Sequence, residues 1–116
     1  KRLVGEELRG GISGPTRVES REAMLLDSLP TLLRPVAPDF PEVLRAAGIV
    51  GQVALEFVVD SSGRALDSSL VVLASDHPAF SAAARAAILA SRYRPAFRGG
   101  RAIAARVQQV VRFSLH

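Results

Sequence analysis

From Gly51 to Asp60 apolar residues occupy every second position. Val53, Leu55, Phe57 and Val59 share one face, while Gln52, Ala54, Glu56 and Val58 share the other. This period of two predicts a strand with one buried side. Asp60-Ser61-Ser62-Gly63 follows with the residues of a hairpin turn, Gly63 being free to take positive φ, and a second strand is expected from Leu66 to Ala74. The end of the chain alternates again: Ile103, Ala105, Val107, Val111, Phe113 and Leu115 face one way, and Arg106, Gln108, Val110, Arg112 and Ser114 the other. Gln109 interrupts the apolar row, as a β-bulge would or a polar group satisfied near a sheet edge.

Two helices complete the pattern. Pro41 suits the first turn of a helix running to Ala47, with Gly48 as a left-handed cap. Ser75-Asp76-His77 offers capping side chains before a second helix from Pro78 to Ser91, where Phe80, Ala84, Ala87, Ile88 and Ser91 recur at helical spacing. Its alanine-rich face allows close approach to a sheet. The expected fold is α+β: a three-stranded antiparallel sheet with two helices on one face, in the order helix, strand, strand, helix, strand, with the first strand central and the last at an edge.

The preceding residues read differently. Lys1–Arg17 carries Gly5, Gly10, Gly11, Gly14 and Pro15 among charges, the chemistry of a linker. Val18–Leu33 is leucine-rich but interrupted by Pro30, so it forms a short helix or an extended arm, packed on its own domain or on a neighbour. Residues 1–32 are therefore assigned to a flexible or partner-docked arm and residues 33–116 to the domain. The start at Lys1-Arg2, without an initiator methionine, suggests a mature or trimmed fragment whose anchor, if any, lies outside it.

At 116 residues one hydrophobic core suffices. Cysteine is absent, which removes disulfides, thiol nucleophiles and cysteine-ligated zinc together. The basic excess of four, spread among acids and with few aromatics, argues against a nucleic-acid groove. No apolar run reaches the ~18 residues of a membrane helix. Ser75, Asp76 and His77 stand consecutively before a proline and read as a cap, not a catalytic triad. Two isolated histidines make no metal site, and neither Gly-Gly pair has the context of a phosphate loop. Neither an enzyme nor a cofactor is expected.

Four stretches resemble the TonB C-terminal domain family, and the likeness runs from about Leu33 to Leu115. Phe40-Pro41 is similar to the family's Tyr-Pro opening, and Gly48-Ile49-Val50-Gly51 to the Gly-Ile-x-Gly that launches its first strand. Asp60-Ser61-Ser62-Gly63-Arg64 resembles its Asp-x-x-Gly-Arg hairpin. Arg92-Tyr93-Arg94-Pro95-Ala96, then Gly100 and Val111-Arg112-Phe113, resemble its closing series. Two positions depart from the pattern: Ser91 stands where an aromatic is common, and Ala37 where the best-known members have glutamine, so receptor contacts do not transfer residue by residue.

The resemblance implies a periplasmic, non-enzymatic module, held at the inner membrane by a segment outside this chain. Such a module engages the TonB box of outer-membrane receptors by β-strand addition and transmits force from an ExbB/ExbD-type proton-driven motor. An edge strand presents unpaired backbone groups to such a peptide. Arg106, Gln108, Val110 and Arg112 on the last strand are the candidate partner-binding residues; the plain alternative is an ordinary solvent face. The competing function is a structural subunit docked permanently in a larger membrane-associated assembly. A transducer is expected as a monomer or weak homodimer.

Overall fold

The computed structural model describes residues 8–115, with the side chains of Leu8, Arg9, Ser13, Pro15 and Leu115 set aside. Lys1–Glu7, the first part of the expected linker, and His116 lie outside the described residues. In chain order the elements are β1 (Leu8–Arg17), α1 (Ser20–Ala23), β2 (Thr31–Arg34), α2 (Glu42–Ala46), β3 (Gly51–Val59), a 3-10 turn (Asp67–Ser69), β4 (Val71–Ser75), α3 (Pro78–Ala90), β5 (Arg92–Arg94), β6 (Ala96–Arg98), β7 (Arg101–Ile103) and β8 (Ala105–Leu115).

The main sheet has four strands in the order β1-β8-β3-β4, all neighbours antiparallel. At its centre Gly51–Val59 pairs without a break against Phe113–Ala105. The inward positions are those set by the alternation: Val53, Leu55, Phe57 and Val59 on β3, with Val107, Val111 and Phe113 on β8, are buried. Against them α3 lays Phe80, Ala84 and Ile88. Phe80 and Phe113 stack with ring centroids 4.4 Å apart, and Phe40 meets both edge-on at 5.6 Å. Full burial of Phe80 and of Phe113 stabilises the fold by about 1.5–3 kcal/mol each. The aromatic of the Phe40-Pro41 opening thus closes one end of the core, and Tyr93, tilted on Phe57 at 5.7 Å, closes the other.

Three expectations need correction. The sheet has four strands, not three, and the added one changes its rim. The last strand is interior: its side away from β3 is paired with β1 from Leu8↔Leu115 to Ser13↔Val110, and again at Arg17↔Gln108. The glycines that give β1 the composition of a linker do not prevent pairing, because the ladder to β8 is made by backbone groups and not by side chains. The return strand of the hairpin is also shorter than expected, β4 beginning only at Val71. Ser69 Oγ accepts from the Val58 N–H at 2.8 Å and donates to the Leu66 carbonyl at 2.7 Å, so a side chain takes the place of the ladder across the 3-10 turn.

The backbone of the leucine-rich arm is tied to its own domain, while Met24, Leu25, Leu29 and Leu33 stay exposed. β2 pairs with β5, Leu32 opposite Tyr93, and the Asp27 N–H donates to the Phe97 carbonyl at 2.7 Å. Buried Ser91 accepts from the Val36 N–H at 2.9 Å and donates to the Ala87 carbonyl at 2.7 Å. These two bonds fasten the incoming chain to the end of α3. β6 and β7 form a hairpin across Gly99-Gly100, both at positive φ.

Candidate functional site

Period-two alternation sends Arg106, Gln108, Val110 and Arg112 to the face of β8 opposite the helices, where they form one row. Each stands opposite an outward residue of β3: Val58, Glu56, Ala54 and Gln52 in turn. Arg106 Nη1 lies 3.5 Å from Glu56 Oε1, and Gln108 Nε2 donates to Glu56 Oε2 at 3.1 Å. Arg112 Nη2 reaches Gln52 Oε1 at 3.4 Å. Glu56 is therefore shared between a guanidinium and an amide, whereas Arg112 faces a neutral acceptor on β3. Exposed pairs of this kind contribute about 1 kcal/mol or less each.

The row is flanked by two shallow depressions. One, of about 330 Å³, is bounded by Gly14, Arg17, Ala54, Leu73, Gln108, Val110 and Arg112. The other, about 360 Å³, lies between Arg17–Ser20, Glu22, Glu56 and Arg106–Gln108. All four candidate residues line one or the other, and Arg17 from β1 stands between the two.

The inward side of the same strand carries the polar residue that broke the apolar row. Gln109 is 2 % exposed. Its Oε1 accepts from Thr16 Oγ1 at 2.8 Å, with the Tyr93 hydroxyl 3.5 Å away, and its Nε2 donates to the Gly14 carbonyl at 3.3 Å. Burial pushes the Tyr93 phenol well above its usual range, so it stays a neutral donor. Of the two explanations the sequence left open, Gln109 is a satisfied polar group, and the irregular pairing lies opposite it, between Ser13 and Arg17 of β1. Gly14 at φ 74° carries the chain through that kink.

β1 meets a second constraint farther along. A Cβ on Gly10 would stand 2.6 Å from Pro38 Cγ, 2.9 Å from the Pro38 carbonyl oxygen and 3.3 Å from Phe113 Cδ2. Between these two points Ile12, opposite Val111, packs against the core. Gly10, Ile12 and Thr16 were not among the sequence candidates. The signal that could have found them was Gln109, a polar side chain on an apolar row, which burial obliges to hydrogen-bond.

The cluster Ser75-Asp76-His77 is engaged in holding elements together. His77 Nδ1 accepts from the Ala79 N–H at 3.0 Å at the start of α3, and Asp76 Oδ2 accepts from the Gln52 N–H at 2.9 Å. Among the described residues no group of three metal-ligating side chains comes together, and no helix is long and apolar enough to cross a membrane.

The family model for the C-terminal part of the Gram-negative bacterial TonB protein matches residues 36–115. The chain belongs to the TonB C-terminal domain family. Its fold is similar to the solution structure of the Pseudomonas aeruginosa TonB C-terminal domain, with a TM-score of 0.63 and 31 % identity, over 78 % of this chain and 90 % of that one. No curated protein matches at a significant level. TonB membership points to energy transduction and transport in general, by a periplasmic binding module and not by an enzyme. β1 lies wholly outside the residues matched to TonB.

Proposed function

We propose that this chain is the receptor-facing end of a TonB-type energy transducer. It takes up an extended segment of an outer-membrane receptor, the TonB box, along β8 by strand addition. It passes on force from an ExbB/ExbD-type motor through a membrane segment outside this chain. One observation carries the assignment of the edge: β8 is a long strand held firmly on one side by β3 and, on the other, only by a glycine-rich strand outside the family match. Backbone pairing tolerates many peptide sequences, and a pull along the strand loads all its hydrogen bonds together. Arg106, Gln108, Val110 and Arg112 then lie beside the bound peptide and tune which sequence is preferred, the arginines favouring acidic side chains. Permanent docking as a structural subunit is not favoured by the family.

The test is calorimetry of an acidic receptor-type peptide against the wild type and the double variant Arg106→Glu/Arg112→Glu, at low and at physiological salt. The double variant is expected to bind several-fold more weakly, with the largest difference at low salt, where charges are least screened. Equal affinity, in a variant whose circular dichroism is native, would remove this row from the interface.

A further inference from the structure

β1 occupies the edge to which the proposed function assigns the partner. Its hold on that edge is weak in one respect and specific in another. Gly10, Gly11, Gly14 and Pro15 are poor strand formers, and no described side chain of β1 is fully buried. Yet three contacts fix its register: Gly10 passes through the gap between Pro38 and Phe113, Ile12 lies over Val111, and the Thr16 hydroxyl and the Gly14 carbonyl hydrogen-bond the Gln109 amide. A strand retained by few apolar contacts but placed by several shape and hydrogen-bond constraints suits exchange, because a newcomer that reproduces the constraints loses little.

We propose that β1 is a resident stand-in for the partner strand, so that the peptide this domain accepts carries a glycine opposite Phe113, a β-branched residue opposite Val111 and a hydroxyl for Gln109. Any residue with a Cβ at the first position drives Pro38 or Phe113 aside. An added strand without a donor at the last leaves the buried Gln109 carbonyl oxygen short of its closest partner. Pro38, Phe113 and Gln109 are thus specificity-determining residues on the inner side of the edge, complementing the outward row. The free domain is also self-competed: its apparent affinity is reduced by the fraction of molecules whose β1 is seated.

The inference rests on the β8 edge being the binding edge, and adjacent glycines allow a test with opposite signs. Gly10→Val forces β1 off the edge. Gly11→Val, where a Cβ meets nothing within 4 Å, only raises strand propensity and seats β1 more firmly. The probe is a synthetic peptide of residues 8–18, titrated into the full chain. Relative to wild type, Gly10→Val is expected to bind it roughly tenfold more tightly or better, and Gly11→Val more weakly. A probe with valine at the position of Gly10 should not bind any of them. A third chain, Gly11→Cys/Arg112→Cys, joins register partners by a disulfide in a protein that otherwise has no cysteine. Its reduced form should bind the probe and its oxidised form should not, loss of Arg112 being common to both. Equal binding by oxidised and reduced forms, or no gain in Gly10→Val, overturns the proposal. If Gly10→Val takes up the probe but no receptor-type peptide, strand exchange stands and the receptor is removed as its partner.

Discussion

Thr16 Oγ1 lies 2.8 Å from Gln109 Oε1, so that a residue of the amino-terminal strand satisfies a buried amide 93 positions later in the chain. Replacing Thr16 by valine keeps the shape and removes the donor. The expected cost is about 1 kcal/mol of stability, with faster amide exchange confined to β1. Thr16→Ser should stay within a few tenths of a kcal/mol of wild type by roughly the same reasoning. Denaturant midpoints and hydrogen exchange check both. An unchanged midpoint in Thr16→Val would mean that the bond adds nothing net.

Phe57 sits on the central strand, fully buried between the sheet and Tyr93. Phe57→Ala is expected to lose about 3–5 kcal/mol, since neither β3 nor the ring of Tyr93 can collapse into the space. Ser75→Ala and His77→Ala, which remove capping contacts at the surface, should each cost about 1 kcal/mol. Urea unfolding of the three variants decides the order; Phe57→Ala close to wild type would contradict the assigned inward face.

Gly63 combines φ of 87° with a Cβ direction that runs into the Tyr93 carbonyl oxygen, while its own carbonyl accepts from the Tyr93 N–H at 2.8 Å. Strain at the backbone alone makes Gly63→Ala cost about 1–3 kcal/mol, and the clash adds to it. The same change at Gly99, where a Cβ meets nothing within 4 Å, carries only the strain. Comparing the two melting curves separates the terms, and equal losses would show that the approach of Tyr93 is not felt.

Asp60 Oδ1 accepts from the Ser62 hydroxyl at 2.6 Å, the Ser62 N–H at 2.9 Å and the Arg64 N–H at 3.1 Å. These donors, the Ser62 hydroxyl foremost, hold its carboxyl below the ordinary value of 3.8. The unfolded chain therefore binds this proton more readily than the folded one. The resulting stabilisation is full above the ordinary value and is lost as pH falls through the lower, folded one. In Asp60→Asn this part of the acid limb should be absent. Urea midpoints from about pH 2 to about pH 6 would show it, and parallel curves for the two proteins would contradict the assignment.

Much of this architecture is legible in the chain because it is written in side chains. The alternation around Phe57 fixed which face of β3 is buried, and Asp60 to Gly63 marked the hairpin by residues that need that geometry. The candidate row Arg106 to Arg112 likewise lies together on one face because alternation dictates it. What escaped depends on the backbone. β1 pairs through backbone N–H and C=O groups that every residue except proline possesses, so Gly10, Gly11 and Gly14 conceal it behind the composition of a linker. Ser69 shortened β4 by replacing a ladder bond with its hydroxyl, a substitution that strand periodicity does not register. Gln109 was noticeable as an interruption, but its partner, being distant in sequence, became visible only in the fold.

The central claim is that a receptor segment adds to β8 in place of β1. Amide hydrogen exchange of the full chain, with and without a saturating receptor-type peptide, tests it most directly. On this account the amides of Gly10–Ser13 lose protection when the peptide binds, while those of Ala105–Arg112 keep or gain it. Protection gained along Val71–Ser75, the exposed strand at the other rim, with Gly10–Ser13 unchanged, would contradict it and place the partner on β4.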